Sequence, residues 1–251
     1  MGGCGVRTVD VIGTPIVAAG LAEVVDALEA SIAERRGQYV CFANAHVTST
    51  ACRDERLAEA LAGAGMVLPD GAPVAWAART RRIAGSDVFE ELCRRSPGRG
   101  YRHFLLGSTD ETLALLHAQV ESSYPGIEIC GAYSPPFGPV LEGLVPEAAE
   151  IVNAARADIV WVGLGAPKQE LFMRALRPLA EAPLLLGVGA VFDFASGTKR
   201  RAPAWMQRAG LEWLHRLCSE PRRLARRYLV TNTAFALALT RQLAGGRAGG
   251  N

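Results

Sequence analysis

Three groups of residues in this sequence have the types and spacing to do chemistry, and each follows a short apolar run. Asp70 stands in Met66-Val-Leu-Pro-Asp-Gly71, after such a run and before a helix expected to begin near Pro73. A carboxylate there would lie at the edge of a sheet, where it could act as a general base. The local sequence alone slightly favours a plainer alternative, an Asp-Gly turn or a helix N-cap.

Two glycine turns form the second group. Gly163-Leu-Gly-Ala-Pro-Lys-Gln-Glu170 follows an apolar run and opens a helix, so free backbone N–H groups could hold a phosphate. It is neither a P-loop nor a dinucleotide fingerprint, because Lys168 replaces the third glycine. Gly187-Val-Gly-Ala190 repeats the arrangement. The pair indicates a nucleotide or another phosphate ligand, although close strand–helix packing would equally require glycine.

Asn44 and His46 are the third group, after the apolar run Tyr39–Phe42. Either side chain could bind a sugar or a base, and equally Asn44 could be an N-cap and His46 a surface histidine. The sequence has no Asp-x-Asp pair and no His/Asp/Glu cluster at metal-ligand spacing, so we expect no metal. It also has no Gly-x-Ser-x-Gly elbow, which argues against a serine hydrolase.

The elements that would position these groups alternate along the chain. Short apolar runs predict buried strands, and the stretches between them have helical periodicity. This pattern predicts an α/β fold, Rossmann-like, with a mainly parallel sheet flanked by helices. A capping box at Ser108-Thr-Asp-Glu111 and Pro146 in a first turn mark two helix starts. The predicted strands are Val9–Ile12, Tyr39–Phe42, Met66–Leu68, His103–Leu106, Ile127–Gly131, Ile159–Val162 and Leu184–Val188.

The alternation stops near Gly197, which divides the chain into an α/β body (1–197), a helical appendage (198–244) and a disordered tail (245–251). From Lys199 onward there are eleven Lys/Arg and two acids, a net charge of +9, whereas residues 1–198 have 16 basic and 23 acidic residues, a net of −7. Arg222, Arg223, Arg226 and Arg227 share one side of an amphipathic helix, opposite Leu224, Tyr228, Thr231 and Phe235. A merely solvated charged face is the alternative, but the arginines lack the acids that usually balance such a face, and Arg suits phosphate oxygens better than Lys does, which indicates an anionic partner.

Composition narrows the setting. The six cysteines are scattered without Cys-x-x-Cys spacing, which is typical of reduced thiols in a cytosolic protein. The N-terminus lacks a signal peptide pattern, and the apolar stretch Leu229–Leu239 is about half the length of a spanning helix. We therefore expect a cytoplasmic protein that does not cross a bilayer.

The order of these motifs along the chain resembles the WecG/TagA/CpsF glycosyltransferase family, from about residue 8 to 230. The motifs that carry the resemblance are Asn44-Ala-His-Val-Thr48, Leu68-Pro-Asp-Gly71, Phe104-Leu-Leu-Gly107, Tyr133-Ser-Pro-Pro-Phe137, Gly163-Leu-Gly-Ala-Pro-Lys-Gln-Glu170, Gly187-Val-Gly-Ala190, Arg201-Ala-Pro-Ala-Trp205, Gly210-Leu-Glu-Trp213 and Pro221-Arg-Arg-Leu-Ala-Arg-Arg-Tyr228.

The resemblance implies an inverting, metal-independent enzyme, peripheral at the cytoplasmic membrane face. It would move N-acetylmannosamine or a similar hexose from a UDP-sugar to an undecaprenyl-diphosphate-linked sugar in cell-wall or exopolysaccharide synthesis, with no cofactor beyond this co-substrate. Asp70 would be the base and Gln169 would lie near the donor sugar or its diphosphate. The resemblance places these donor-binding residues: Asn44, His46, Gly107, Gly165, Pro167, Glu170, Gly189 and Asp193. It places acceptor diphosphate on Arg216, Arg222, Arg223 and Arg226 of an appendage that closes over the site at an anionic membrane surface.

Two positions depart from the family pattern. Several members have Thr where Phe42 stands, and many have an acid where His46 stands, so the donor sugar could be glucose or another hexose. The alternative from another class is a nucleic-acid-binding protein using the arginine helix, against which the acidic body and the motif order argue. A dehydrogenase is disfavoured by the missing third glycine. The sequence leaves oligomeric state open, a homo-oligomer included.

Overall fold

A computed structural model describes residues 6–136, 138, 142–198, 201–203, 205, 206, 211–219 and 221–248. Its centre is a six-stranded parallel sheet with helices on both faces, which confirms the predicted fold class. The strand order is β4-β3-β8-β7-β5-β6. The strands are β1 (Thr8–Val11), β2 (Thr14–Val17), β3 (Gln38–Ala43), β4 (Met66–Pro69), β5 (Arg102–Gly107), β6 (Glu128–Tyr133), β7 (Ile159–Gly163) and β8 (Leu184–Gly187).

The inner strands are apolar along their length because helices cover both of their faces. β3, β4 and β8 are buried at every residue. The helices of the body are α1 (Leu21–Ala33), α2 (Ala45–Ala51), α3 (Glu55–Ala62), α4 (Ala72–Ala77), α5 (Gly85–Arg95), α6 (Asp110–Ser123), α7 (Val145–Ala154), α8 (Lys168–Leu176) and α9 (Val191–Ala195).

Two apolar cores lie on the two faces of the sheet. One contains buried residues of α2, α3, α7 and α8, and the other contains buried residues of α1, α5, α6 and α9. Connections that leave neighbouring strands toward opposite faces open a crevice at the carboxyl ends of the strands. β8 and β7 are such neighbours, since β8 leads to α9 and β7 leads to α8.

The N-terminal strand was wrongly predicted to be a buried strand. β1 pairs antiparallel with β2, a strand that the sequence did not predict, in a separate two-stranded hairpin. In β1 only Val11 is fully buried. Pro15 lies within β2, where proline is tolerated because the hairpin belongs to no larger sheet.

Two predicted helix starts behave differently. Pro146 lies in the first turn of α7, as expected, and that helix ends at Ala154. The cap of α6 is Thr109, whose hydroxyl accepts a hydrogen bond from the Thr112 backbone N–H at 3.3 Å. Ser108, expected to be the cap, instead has a φ of 61° between β5 and the helix.

The appendage is helical and packs on the body. It contains α10 (Glu212–Ser219) and α11 (Pro221–Ala248), so helix continues past the residue 244 boundary and includes 245–248 of the predicted disordered tail. Phe235 of α11 is 4% exposed and belongs to the same core as α2 and α8. Gln242 accepts a hydrogen bond from the Ile12 backbone N–H at 2.8 Å and donates to the Asp10 carboxylate at 2.7 Å. No helix among the described residues is both long and apolar enough to span a membrane.

Candidate active site

The polar residues predicted from sequence lie on loops at one edge of the parallel sheet. Asn44 follows β3, Asp70 follows β4, and the two glycine turns follow β7 and β8. Because β3, β4, β7 and β8 are parallel and adjacent in the order 4-3-8-7, these loops meet at the carboxyl edge. The structure therefore brings four separate sequence motifs to one edge of the sheet, where open α/β sheets have their ligand crevice.

Asp70 is held at this edge by its backbone. Its N–H donates to the Ala43 carbonyl at 2.9 Å, which continues the β3–β4 pairing by one residue. The residue is half-buried, and α4 begins two residues later with Gly71 at the N-cap position. The N-cap alternative for Asp70 is therefore wrong, since its neighbour takes that position.

Gly71 explains how closely the Asp70 and Asn44 loops approach. Its φ is 154°, a left-handed region value that side chains rarely adopt, and an added Cβ would lie 3.2 Å from the Cβ of Asn44. Without a side chain at this position the two loops pack directly against one another. Asp70 is thus adjacent to the β3 loop as well as to its own helix.

Asn44 is the N-cap of α2. Its Oδ1 accepts hydrogen bonds from the backbone N–H groups of His46 at 3.0 Å and Val47 at 3.2 Å. The capping role was one of the two predicted for Asn44, and it occupies the side-chain oxygen with backbone N–H groups of α2. His46 lies in the first turn of α2, half-buried, with its Nδ1 3.5 Å from the Thr50 hydroxyl. Their predicted contacts with a donor stay predictions.

Gln169 joins the two glycine turns. Its Oε1 accepts a hydrogen bond from the Gly165 N–H at 3.1 Å, and its Nε2 donates to the Gly187 carbonyl at 2.7 Å. The side chain is 4% exposed, so it lies beneath the cleft. Gly165 and Gly189 have φ values of 76° and 57°, which require or favour glycine in these turns. In this arrangement Gln169 holds the two turns together.

Glu170 lies deeper still. It is fully buried, and burial raises the pKa of its carboxyl to about 7. Its Oε1 accepts from Gln169 Nε2 at 3.0 Å, and its Oε2 has no hydrogen-bond partner among the described residues. The sequence prediction put Glu170 on the donor; the structure places its carboxyl in the core behind Gln169, because α8 turns this residue toward the sheet.

The remaining donor-binding predictions fall around the same crevice. Gly107 ends β5 with a φ of 118°, and an added Cβ would lie 2.7 Å from the Gly163 carbonyl carbon, so glycine here lets β5 and β7 end in contact. Pro167, half-buried, precedes α8 in the first glycine turn. Asp193 is half-buried in α9, and its carbonyl accepts from the Thr198 hydroxyl at 2.9 Å.

Comparison with known proteins shows which family the chain belongs to. Residues 9–249 match the family described as "Glycosyl transferase WecG/TagA/CpsF family". The chain belongs to this family. It is therefore a glycosyltransferase of the hexosyltransferase type, as the resemblance predicted, and this favours an enzyme over the nucleic-acid-binding alternative.

Two curated relatives of the WecG/TagA/CpsF family support the assignment. The chain is 31% identical over 241 residues to an N-acetylglucosaminyldiphosphoundecaprenol N-acetyl-beta-D-mannosaminyltransferase of Bacillus subtilis strain 168, covering 92% of this chain and 91% of the relative. It is 32% identical over 202 residues to a protein of the same name from Bacillus spizizenii, covering 77% of this chain and 76% of the relative.

The arginines predicted to bind acceptor diphosphate lie on the two appendage helices. Arg222 is exposed in the first turn of α11. Arg216 is on α10, and Arg223 and Arg226 are on α11, but the side chains of these three, like that of Arg227, lie outside the described residues. Their roles stay predictions.

Sequence reasoning missed a cluster of charged residues between body and appendage. Arg82, in the loop between α4 and α5, is paired with Glu212 of α10 at 2.7 Å. Arg201 is paired with Asp87 at 2.7 Å and with Glu90 at 2.6 Å. Nothing in the local sequence marks Arg82, but Glu212 offered a signal, as one of two acids in a strongly basic segment.

Proposed function

We propose that this protein is an inverting, metal-independent glycosyltransferase that moves N-acetylmannosamine or a similar hexose from a UDP-sugar to an undecaprenyl-diphosphate-linked sugar. The observation that carries the proposal is the family match over residues 9–249, with Asp70 at the same carboxyl edge of the sheet as the glycine turns. Both curated relatives are named for N-acetylmannosamine transfer to such a lipid.

Asp70 is proposed as the general base. Its carboxylate would take the proton from the acceptor hydroxyl while that oxygen forms a bond to the anomeric carbon. The bond from the anomeric carbon to UDP breaks on the opposite face, so the configuration inverts and UDP leaves with the electron pair. The half-buried position of Asp70 suits a group that must meet a bound hydroxyl.

The negative charge that develops on UDP needs stabilisation. The turns at Gly165 and Gly189 lie at helix starts, where backbone N–H groups favour a phosphate. Gln169 would act as a positioning residue by holding both turns. We propose that appendage arginines, Arg222 among them, supply the remaining positive charge in place of a divalent cation.

The proposed setting is the inner face of a cell membrane, in cell-wall or exopolysaccharide synthesis. A lipid-linked acceptor would place the reacting sugar at a membrane surface. The net charge of +9 after residue 198 supports attraction to anionic lipid. Exposed Trp205 and Trp213 in the same segment have the amphipathic rings that favour a membrane–water interface.

The decisive experiment offers a panel of UDP-sugars with a short-chain diphospholipid-linked sugar. We expect one UDP-hexose to be turned over, an anomeric configuration in the product opposite to that of the donor by NMR, and unchanged rates in EDTA. Retention of configuration, or loss of activity restored only by a metal ion, would contradict that part of the proposal.

Asp70→Asn tests the base. We expect a loss in kcat of about 10² to 10⁴-fold with UDP-sugar binding retained, because the amide cannot accept the proton. Asp26→Asn is the matched control, since Asp26 is an exposed aspartate paired with Arg95 on another face of the body. Near-normal turnover by Asp70→Asn would remove Asp70 from the mechanism.

A further inference from the structure

Arg82 is held beside the candidate base by the backbone. The Ile83 N–H donates to the Pro69 carbonyl at 3.0 Å, so the two segments lie side by side. Arg82 precedes Ile83 and Asp70 follows Pro69, so Arg82 and Asp70 are neighbours on these segments. Burial lowers the pKa of the Arg82 guanidinium, but the hydrogen bond and charge of Glu212 and the charges of Asp70 and Asp87 outweigh it, so this pKa is raised. The Arg82 guanidinium therefore interacts electrostatically with both the candidate base and the appendage.

Glu212 reaches this arginine from the appendage. It is the first residue of α10, and its Oε2 lies 2.7 Å from Arg82 Nη1. The side chains are 19% exposed for Arg82 and 13% for Glu212, so the pair is largely withdrawn from water. Such a charge-assisted hydrogen bond holds its geometry better than an exposed ion pair does.

A second arginine lies near Glu212 at ion-pair distance. Arg201 Nε lies 3.9 Å from Glu212 Oε1, while the two terminal nitrogens of Arg201 bind Asp87 and Glu90 of α5. Asp87 in turn accepts from the Ala84 N–H at 3.0 Å. The Glu212 carboxylate thus lies between two guanidinium groups, each of which belongs to a segment fixed on the body.

We propose that Glu212 is a positioning residue that orients the Arg82 guanidinium against Asp70, so that the candidate base is arranged only when α10 is docked. Arginine has five N–H donors in a planar fork, and the bond to Glu212 uses one side of that fork. Asp70 is close enough for its charge to raise the pKa of the same guanidinium. Loss of Glu212 frees a long side chain with several rotatable bonds, which disorders the group next to the base.

This inference rests on the proposed function, and it competes with a simpler role in which Glu212 only anchors the appendage. The two roles predict different changes in the docked fraction of α10 and in kcat. An anchor changes the fraction of molecules with α10 docked, and activity follows that fraction. A positioning residue lowers kcat in molecules that remain docked, and it acts only while Arg82 is present.

The test compares Glu212→Gln, Arg82→Gln and the double variant in the transfer assay. We expect Glu212→Gln to lower kcat about tenfold, the scale of one hydrogen bond to a charged group, with the KM for UDP-sugar within about twofold of wild type. The double variant should be no slower than Arg82→Gln alone. Glu91→Gln is the control, because Glu91 is a carboxylate of the same helix, α5, that pairs with Arg94 and Arg95 rather than with Arg201.

Two further measurements keep the outcomes apart. Limited proteolysis of residues 198–220 reports docking and should be unchanged in Glu212→Gln. Phenylglyoxal labelling of Arg82, read by mass spectrometry, should be severalfold faster in Glu212→Gln than in wild type, and it needs no turnover. Unchanged labelling, unchanged kcat, or a kcat that falls only with the docked fraction would overturn the inference. If wild-type protein transfers no sugar from any UDP-sugar of the panel, that result would instead overturn the proposed function. The catalytic part of this inference would fall with it.

Discussion

At the scale of single residues, the site separates groups that face the cleft from groups that support it. Asp70 is half-buried at the edge of the sheet, whereas Gln169 and Glu170, adjacent in one motif, are buried behind the turns. Sequence spacing alone could not separate them, because all three are polar residues after apolar strands. Their burial follows from the direction in which α8 leaves its turn.

Glu170 makes the stability of the protein depend on pH. Its pKa is about 7 in the folded protein and 4.5 when exposed, so the folded state binds the proton more tightly. The contribution of this group to the free energy of unfolding is therefore highest below about pH 4.5, falls as pH rises through this window, and has dropped by up to roughly 3 kcal/mol above pH 7.

Glu170→Gln removes this titration and keeps an acceptor for Gln169. We expect the variant to gain stability relative to wild type as pH rises from about 4.5 to about 8, measured by urea unfolding at each pH. Glu59→Gln, at an exposed surface pair with Arg174, is the control and should show no such trend. A wild-type-to-variant difference that is flat across this range would contradict the raised pKa.

At the scale of elements, the six-stranded sheet was predicted better than the N-terminal hairpin and the end of the last helix. Continuous apolar runs identify strands covered on both faces, such as β3, β4 and β8, and the prediction also found β6, which is only partly buried. β1 was found but was taken for a buried strand, and β2 was not predicted although most of its residues are buried. Which loops would meet could not be deduced from the sequence order, since β8 lies between β3 and β7.

The two sides of α11 should respond differently to truncation of a side chain. Phe235 is 4% exposed in the core shared with α2, and Leu237, two residues on, is 56% exposed. We expect Phe235→Ala to cost about 3 kcal/mol of unfolding free energy because it leaves a cavity. Leu237→Ala, the matched control, should cost less than about 0.5 kcal/mol.

Denaturant unfolding measures both costs, and limited proteolysis shows whether α11 leaves the body. A Phe235→Ala protein as stable as wild type would mean that α11 does not share the core. The predicted division into a body and an appendage stays a prediction, but Phe235 ties the two parts together in one apolar cluster. The predicted apolar side of the helix, with Thr231 and Phe235, is the side that contacts the body: the Thr231 carbonyl accepts from the Ser49 hydroxyl at 3.1 Å.

At the scale of the whole molecule, charge and apolar surface coincide on the appendage. No residue from Pro221 to Ala248 is acidic, and α11 exposes three leucines, Leu229 at 74%, Leu237 at 56% and Leu243 at 61%. A helix with basic residues and an uncovered apolar side is typical of binding to a membrane surface, since lipid satisfies both features. This supports the proposed location of the enzyme at a lipid-linked acceptor.

The exposed leucines of α11 therefore give a vesicle-binding prediction with a matched control. Leu229→Ser together with Leu237→Ser should weaken binding to vesicles containing anionic lipid by at least about tenfold, because two leucine side chains no longer enter the interface. Leu115→Ser together with Leu179→Ser changes two leucines of similar exposure on the body, at 46% and 49%, and should leave binding unchanged. Co-sedimentation at increasing salt should show wild-type binding weakening as the attraction of the basic segment is screened. Equal binding by the two double variants would mean that α11 does not face the membrane, and binding insensitive to salt would mean that its arginines do not contribute.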